Sequence, residues 1–233
     1  MVAKYEEGEH SIVESYKSMR TTITVNEKLK TILVTSSEMN EGKTTTTSNL
    51  AKCFSELGTK KILLIDCDLR KPSIHKHLEI ENEKGLVDVL EDNQDIYECI
   101  NYEDNLHILT TGKRTQNPAE LLDSDKMRSF IKAMECKYDY IFIDSPPVSR
   151  VNDACIVAKY VDGTIVVSAS NEVDIELVKM TRKRLSKVNA NIIGVVLNKF
   201  KSVDDSYHSY YDYYDEETKK SKFKWGFKHK KRK

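Results

Sequence analysis

The stretch Thr31–Leu57, TILVTSSEMNEGKTTTTSNLAKCFSEL, decides the architecture. It opens on a short β-branched run, Thr31–Ser37, with no helical period, which reads as a buried strand. A polar loop follows, and from Thr44 to Leu57 the pattern reads as a helix that Gly58 stops. The segment Ser37–Thr44, SEMNEGKT, has the spacing of a Walker A phosphate loop, with Ser37 in the first glycine position. The strand–loop–helix order is the context in which that spacing binds phosphate. Loop N–H groups and the helix N-terminus surround the oxygens. Gly42 permits the tight turn, Lys43 places a charge on the β- and γ-phosphates, and Thr44 offers a hydroxyl to Mg²⁺. The expected ligands are ATP and Mg²⁺, with Ser37, Glu41, Gly42, Lys43, Thr44 and Thr45 as the expected contacts.

Outward from this unit the same alternation repeats. His10–Glu27 reads as a helix, with Ile12, Val13, Tyr16, Met19 and Ile23 at helical spacing. Strands are expected at Lys61–Asp66, Asn105–Thr110, Tyr138–Asp144, Gly163–Ala169 and Asn191–Lys199, and helices at Asp125–Cys136, Asn152–Ala158 and Asp174–Val188. Continuous apolar strands alternating with helices predict an α/β domain whose mostly parallel sheet is flanked by helices on both faces. Three segments follow: 1–28, a helical N-terminal segment; 29–200, the nucleotide-binding domain; and 201–233, a flexible polar tail.

Two of the strands end in carboxylates. ILLIDCDLR puts Asp66 and Asp68 at the carboxyl end of one strand, followed by Arg70, and YIFIDSPP puts Asp144 at the end of another. Open parallel sheets bind ligands outside the carboxyl ends of their strands, so all three aspartates are expected on the edge that carries the phosphate loop. Mg²⁺ keeps several waters and takes few protein ligands. Thr44, with Asp68 and Asp144 directly or through water, is the expected metal set.

Whole-chain composition excludes several classes. With 233 residues the chain can bury a sizeable core without disulfides or structural metal. Formal net charge is zero, so no nucleic-acid partner is expected. Cys53, Cys67, Cys99, Cys136 and Cys155 contain no CxxC pair and are odd in number, and several sit in apolar segments, as reduced cytosolic cysteines do. No apolar run approaches the ~20 residues of a membrane-spanning helix. The expected location is cytoplasmic.

In these residues the chain resembles the bacterial tyrosine kinases. SSEMNEGKTTTTSNLA, ILLIDCDLRKP and YDYIFIDSPP resemble that family's Walker A, Walker A′ and Walker B motifs, and VESYKSMRTTI, NPAELL and the tyrosine-rich end extend the likeness to nearly the whole chain. The likeness is strongest to the cytoplasmic kinase subunits that act in capsular polysaccharide synthesis in Gram-positive bacteria. The resemblance implies a P-loop NTPase fold of the deviant Walker class, related to MinD and ParA, and an ATP-dependent protein tyrosine autokinase. Those relatives carry a lysine at the second loop position, where this chain has Glu38.

The resemblance also implies roles. Lys43, Asp66, Asp68 and Asp144 form the catalytic set, with Asp66 accepting the tyrosine proton. Asn198, in VLNKF, matches the position that contacts the base. Arg70 could neutralise developing charge or make a structural salt bridge. Glu14, Lys17 and Arg20 stand in an E-x-x-K-x-x-R arrangement that corresponds to the family's ring-assembly pattern. The implied partners are further copies of the chain in a ring, a transmembrane activator of the polysaccharide co-polymerase type and a cognate tyrosine phosphatase. Membrane association would then be peripheral, through that partner.

Tyr207, Tyr210, Tyr211, Tyr213 and Tyr214 crowd one polar segment with Asp204, Asp205, Asp212 and Asp215. No apolar period accompanies the rings, so a core is not expected there; the resemblance implies phosphate acceptors. The ending from Thr218 to Lys233 is strongly basic and interleaves Phe223, Trp225 and Phe227, a composition suited to anionic lipid surfaces, to nucleic-acid phosphates and stacking, to neutralising nearby phosphotyrosines, or simply to solvation. The alternatives to an autokinase are a MinD/ParA-like positioning ATPase and a nucleotide-dependent regulatory module without kinase activity.

Overall fold

The computed structural model describes residues 7–200, with side chains from residue 12. Helix α1 (Glu7–Thr24) leads into β1 (Thr31–Ser36) and α2 (Lys43–Ser55), then β2 (Ile62–Asp66). Four short helices and two short strands follow: α3 (Ile74–His77), α4 (Leu86–Asp92), α5 (Ile96–Cys99), β3 (Ile100–Glu103), β4 (Leu106–Leu109) and α6 (Pro118–Leu122). The chain continues through α7 (Asp125–Glu135), β5 (Tyr140–Asp144), α8 (Asp153–Val157), β6 (Gly163–Ala169), α9 (Ile175–Lys187) and β7 (Ile192–Asn198).

The strands form one seven-stranded sheet in the order β3-β4-β2-β5-β1-β6-β7. All neighbours run parallel except β3, which pairs antiparallel with β4 at one edge. The central strands are buried at every position, which is why they read as unbroken apolar runs. Alternate residues feed two cores. Leu33, Leu63, Ile65, Ile141 and Ile143 pack with α4, α7 and α8 on one face. Ile32, Val34, Leu64 and Phe142 pack with α1, α2 and α3 on the other. Phe54 of α2 is fully buried there, its ring 4.6 Å from Tyr140 and 5.0 Å from Phe142 in edge-to-face contact.

The expected strands all form, with ends trimmed by a residue or two. Helix α1 lies three residues earlier at both ends than its period suggested, and Ile12, counted in its apolar stripe, is 54% exposed. Tyr16 and Ile23 of that stripe are buried against α2. Cys136 is exposed rather than lodged in apolar packing, because it caps the outward end of α7; the other four cysteines are buried and all five are free. Tyr207, Tyr210, Tyr211, Tyr213, Tyr214 and the basic segment 218–233 lie outside the described residues.

Candidate active site

The loop between β1 and α2 is shaped by its own side chains. Asn40 and Gly42 take left-handed backbone angles, φ 65° and 92°. At Gly42 a Cβ would stand 2.0 Å from the Asn198 amide nitrogen, so both conformation and space demand glycine. Glu41 is 1% exposed and both its oxygens are used: one accepts the Glu38 N–H within the loop, the other the Ala169 N–H (3.1 Å) at the end of β6. The Asn198 amide at the end of β7 donates to the Glu41 carbonyl (2.9 Å). From the other side, the Val148 and Ser149 N–H groups donate to the carbonyls of Ser36 and Ser37. The loop is thus fastened by β6, β7 and the segment after β5. Helix α2 begins with no side-chain cap, leaving its first N–H donors for a ligand.

Three strand ends converge on that helix start. β2 and β5 pair in a register that sets Asp66 directly opposite Asp144. Thr44 donates to Asp144 (2.6 Å) and lies 2.9 Å from the Ser73 hydroxyl. Thr47, one turn further along α2, reaches the second Asp144 oxygen at 3.5 Å. The Lys43 ammonium stands 3.5 Å from Asp68, both nearly buried. Asp66 is fully buried and accepts three backbone N–H groups, from Asp68, Ser73 and Ile74, each at 3.0 Å. It therefore shapes the loop after β2. Asp68 accepts the Lys71 N–H with its other oxygen.

Electrostatics set this cluster apart from an ordinary strand edge. Burial, reinforced by the facing Asp144, pushes the Asp66 carboxyl up to about 7. Burial likewise raises Asp144 to about 6, against the opposing pull of Lys43 and the Thr44 hydrogen bond. Three carboxylates against one lysine leave an excess of buried negative charge that a divalent cation would neutralise. The donors are a hydroxyl and carboxylates, the hard oxygen set that suits Mg²⁺. Among the described residues no cluster of three His, Cys, Asp or Glu side chains is poised to hold a metal unaided.

The structure adds residues that carried no sequence signal, Asp153, Ser73, Thr47 and Arg150. Arg70 makes a two-point pair with Asp153 at the start of α8 (2.8 and 3.2 Å), and Asp153 is fully buried. Of the two readings of Arg70, the structure shows the salt bridge. Thr47 brings a second hydroxyl to Asp144, Ser73 brings one to Thr44, and Arg150 pairs with Glu38 at 3.2 Å. Ser37 is buried, while Thr45 is exposed on the first turn of α2. Away from the site, Glu14 and Lys17 pair with each other on the exposed face of α1 (2.6 Å), while Arg20 turns inward to donate to the Cys53 carbonyl of α2. A cleft of about 610 Å³ beside Lys52, Glu56 and Asn105 lies at the opposite end of the sheet and takes no part.

Three comparisons bear on this geometry. A family model described as an AAA domain matches residues 29–193. The tyrosine-protein kinase YwqD of Bacillus subtilis is 36% identical over 190 residues, covering 79% of this chain and 80% of that protein. The kinase domain of the Escherichia coli tyrosine kinase ETK superposes with a TM-score of 0.79 at 26% identity, covering 88% of this chain and 84% of that one. The septum site-determining protein MinD of Pyrococcus horikoshii, solved with Mg-ADP, superposes with a TM-score of 0.60 at 26% identity over 72% of this chain and 70% of its own.

Proposed function

The chain belongs to the bacterial tyrosine-protein kinase family, and on that premise we propose that it transfers the γ-phosphoryl group of Mg-ATP to tyrosines of its own 207–214 cluster. The carrying observation is the convergence of Lys43, Thr44, Asp66, Asp68 and Asp144 on the start of α2. Lys43, now balanced by Asp68, moves to the β- and γ-oxygens when phosphate arrives. Ser37, Glu41, Gly42 and Thr45 belong to the loop and turn that hold the phosphates by their N–H groups. The Asn198 side-chain carbonyl, beside the amide that fastens the loop, contacts the base. Thr44, Asp68 and Asp144 would hold Mg²⁺, which would supply positive charge to neutralise the phosphates.

In the transfer, a tyrosine oxygen bonds to the γ-phosphorus as the bond to the β–γ bridging oxygen breaks, releasing ADP. The phenolic proton passes to a carboxylate. Asp66 is suited to hold it by its raised proton affinity. Its Oδ1 accepts only the Asp68 N–H and keeps a lone pair for the proton, but Asp66 is fully buried, so the loop from Asp66 to Ile74 would open as the acceptor tyrosine enters. The remaining barrier falls through positioning and charge neutralisation.

At the coarser level of the whole chain, the same reading supplies partners. Further copies would assemble through Glu14 and Lys17, with Arg20 bracing α1 on α2 from within. A transmembrane activator would bring the kinase to the membrane, a tyrosine phosphatase would reset it, and capsular polysaccharide synthesis would be the process controlled. Among the described residues no helix is long and apolar enough to cross a membrane. The basic segment 218–233 would add contact with anionic lipid.

The test is phosphotyrosine formation with Mg-ATP, comparing wild type with Lys43→Met and with all five cluster tyrosines changed to Phe. Signal lost in both variants is the expected result. The likeness to MinD favours one second reading, a positioning ATPase. Phosphate release without any phosphotyrosine would establish it in place of the kinase.

A further inference from the structure

Beyond the loop that follows β2, on the side away from the phosphate loop, lies a cleft of about 320 Å³. One wall is Leu69, Pro72 and Lys76; the other is Asn82, Thr111 and Arg114. It opens on the same carboxyl edge as the site, since Leu69 directly follows Asp68 and Thr111 lies just past the end of β4. The walls are built rather than draped. Asn82 accepts the Gly112 N–H (2.9 Å) and the Thr111 hydroxyl (3.2 Å), holding the β4 loop in place. A Cβ at Gly85 would meet the Thr110 carbonyl at 2.2 Å, so the segment before α4 sits hard against that loop.

The cleft has an apolar floor and a cationic rim. Leu69 is 5% exposed and Pro72 half-buried. Of the cations, Lys113 is already paired with Glu91 and Asp92. Lys76 and Arg114 are exposed and have no ionic partner among the described residues, and no carboxylate lines the cleft. The His75 Nδ1 is buried without a hydrogen-bond partner. An aromatic ring flanked by carboxylates fits such a surface. The chain carries one such segment: between Ser202 and Thr218 it has five tyrosines, Asp204, Asp205, Asp212, Asp215, Glu216 and Glu217, and no lysine or arginine.

We propose that this cleft is the acceptor-docking subsite, in which Lys76 and Arg114 pair with the carboxylates of segment 204–217 and so deliver a neighbouring tyrosine to the edge at Asp68. The proposal rests on the kinase reading above and adds what selects the acceptor: acidic flanks read by two cations that the catalytic machinery does not use. It makes acidic tyrosine peptides the favoured substrate class and makes acceptor binding weaken with salt.

The experiment uses the full chain with the five cluster tyrosines changed to Phe, so that only an added peptide can be labelled. The probe is a fluorescent peptide of sequence DDSYHSYYDYYDEE, compared with one whose Asp and Glu are Asn and Gln. Binding by anisotropy and steady-state phosphorylation are both read, with Lys76→Ala/Arg114→Ala added to the same chain.

The expected result is a rise in peptide Kd and KM of about 5- to 30-fold in the double variant. kcat should stay within about threefold and the KM for ATP should not change. The neutral peptide should lose as much on the parent and little more on the variant. Equal affinity of parent and variant for the acidic peptide overturns the subsite, and so does equal discrimination between peptides by both. If no peptide is phosphorylated by any form, the kinase reading is what fails. The binding comparison then still decides the cleft.

Discussion

Asp144 shows how one side chain ties phosphate chemistry to stability. Its carboxyl is raised by burial to about 6, while in the unfolded chain it titrates near 4. Between those values the folded chain keeps a proton that the unfolded chain has released. The stabilisation is therefore complete below about pH 4 and is lost as pH rises through about 6. Asp144→Asn removes that dependence, and its amide can still meet Thr44 and Thr47, whose hydroxyls reorient. Without metal or nucleotide at pH 8, the variant should melt on the order of 2–8 °C higher than wild type. The gap should close toward pH 5 and reverse with Mg-ATP; thermal melts across pH check all three. That Lys43, Thr44, Asp66, Asp68 and Asp144 meet at one sheet edge was legible because each lies in or at the end of a short run whose pattern places it there. Glu41, Ser73 and Asp153 take their meaning from partners far along the chain, as with Glu41 and Ala169, 128 residues apart. Nothing local announces such a pair.

At the level of elements, β1, the loop and α2 act as one device whose geometry is set by Gly42. Gly42→Ala must adopt φ near 92° and displace the Asn198 amide. Strain on the order of 1–3 kcal/mol should fall on the loop rather than on the fold. ATP affinity should drop at least about tenfold, with circular dichroism unchanged; nucleotide titration checks it. Phe54→Ala belongs to the opposite class. It empties the pocket between Tyr140 and Phe142 and should cost about 3–5 kcal/mol by denaturant unfolding. The long elements were readable because burial on both faces makes central strands uniformly apolar. The region 70–104 was not: α3 and α5 have four residues each, and β3 (INYE) is a half-exposed antiparallel edge. None is long enough to display a period. The β4 strand was found because its LHIL core is buried.

For the whole molecule, the proposed self-phosphorylation raises the question of which copy would supply the tyrosine. The described domain ends at β7, five strands across the sheet from β4 and the proposed acceptor cleft. A kinase-dead Lys43→Met chain keeps its tyrosines, and the five-Phe chain keeps its kinase. If copies serve one another, mixing the two should label the Lys43→Met chain at a rate that rises with total concentration. Unlabelled Lys43→Met chain in the mixture, with wild type labelling normally, would mean each chain serves itself. Phosphotyrosine immunoblotting against dilution reads this directly.

The fastening of the phosphate loop also has a bearing on how the protein is made. Glu41 is held by Ala169, and its carbonyl by Asn198 on the last strand. A nascent chain displays SEMNEGKT well before either fastener is translated, since they lie 128 and 157 residues downstream of Glu41. Nucleotide binding as proposed would therefore wait until β6 and β7 have left the ribosome and fastened the loop.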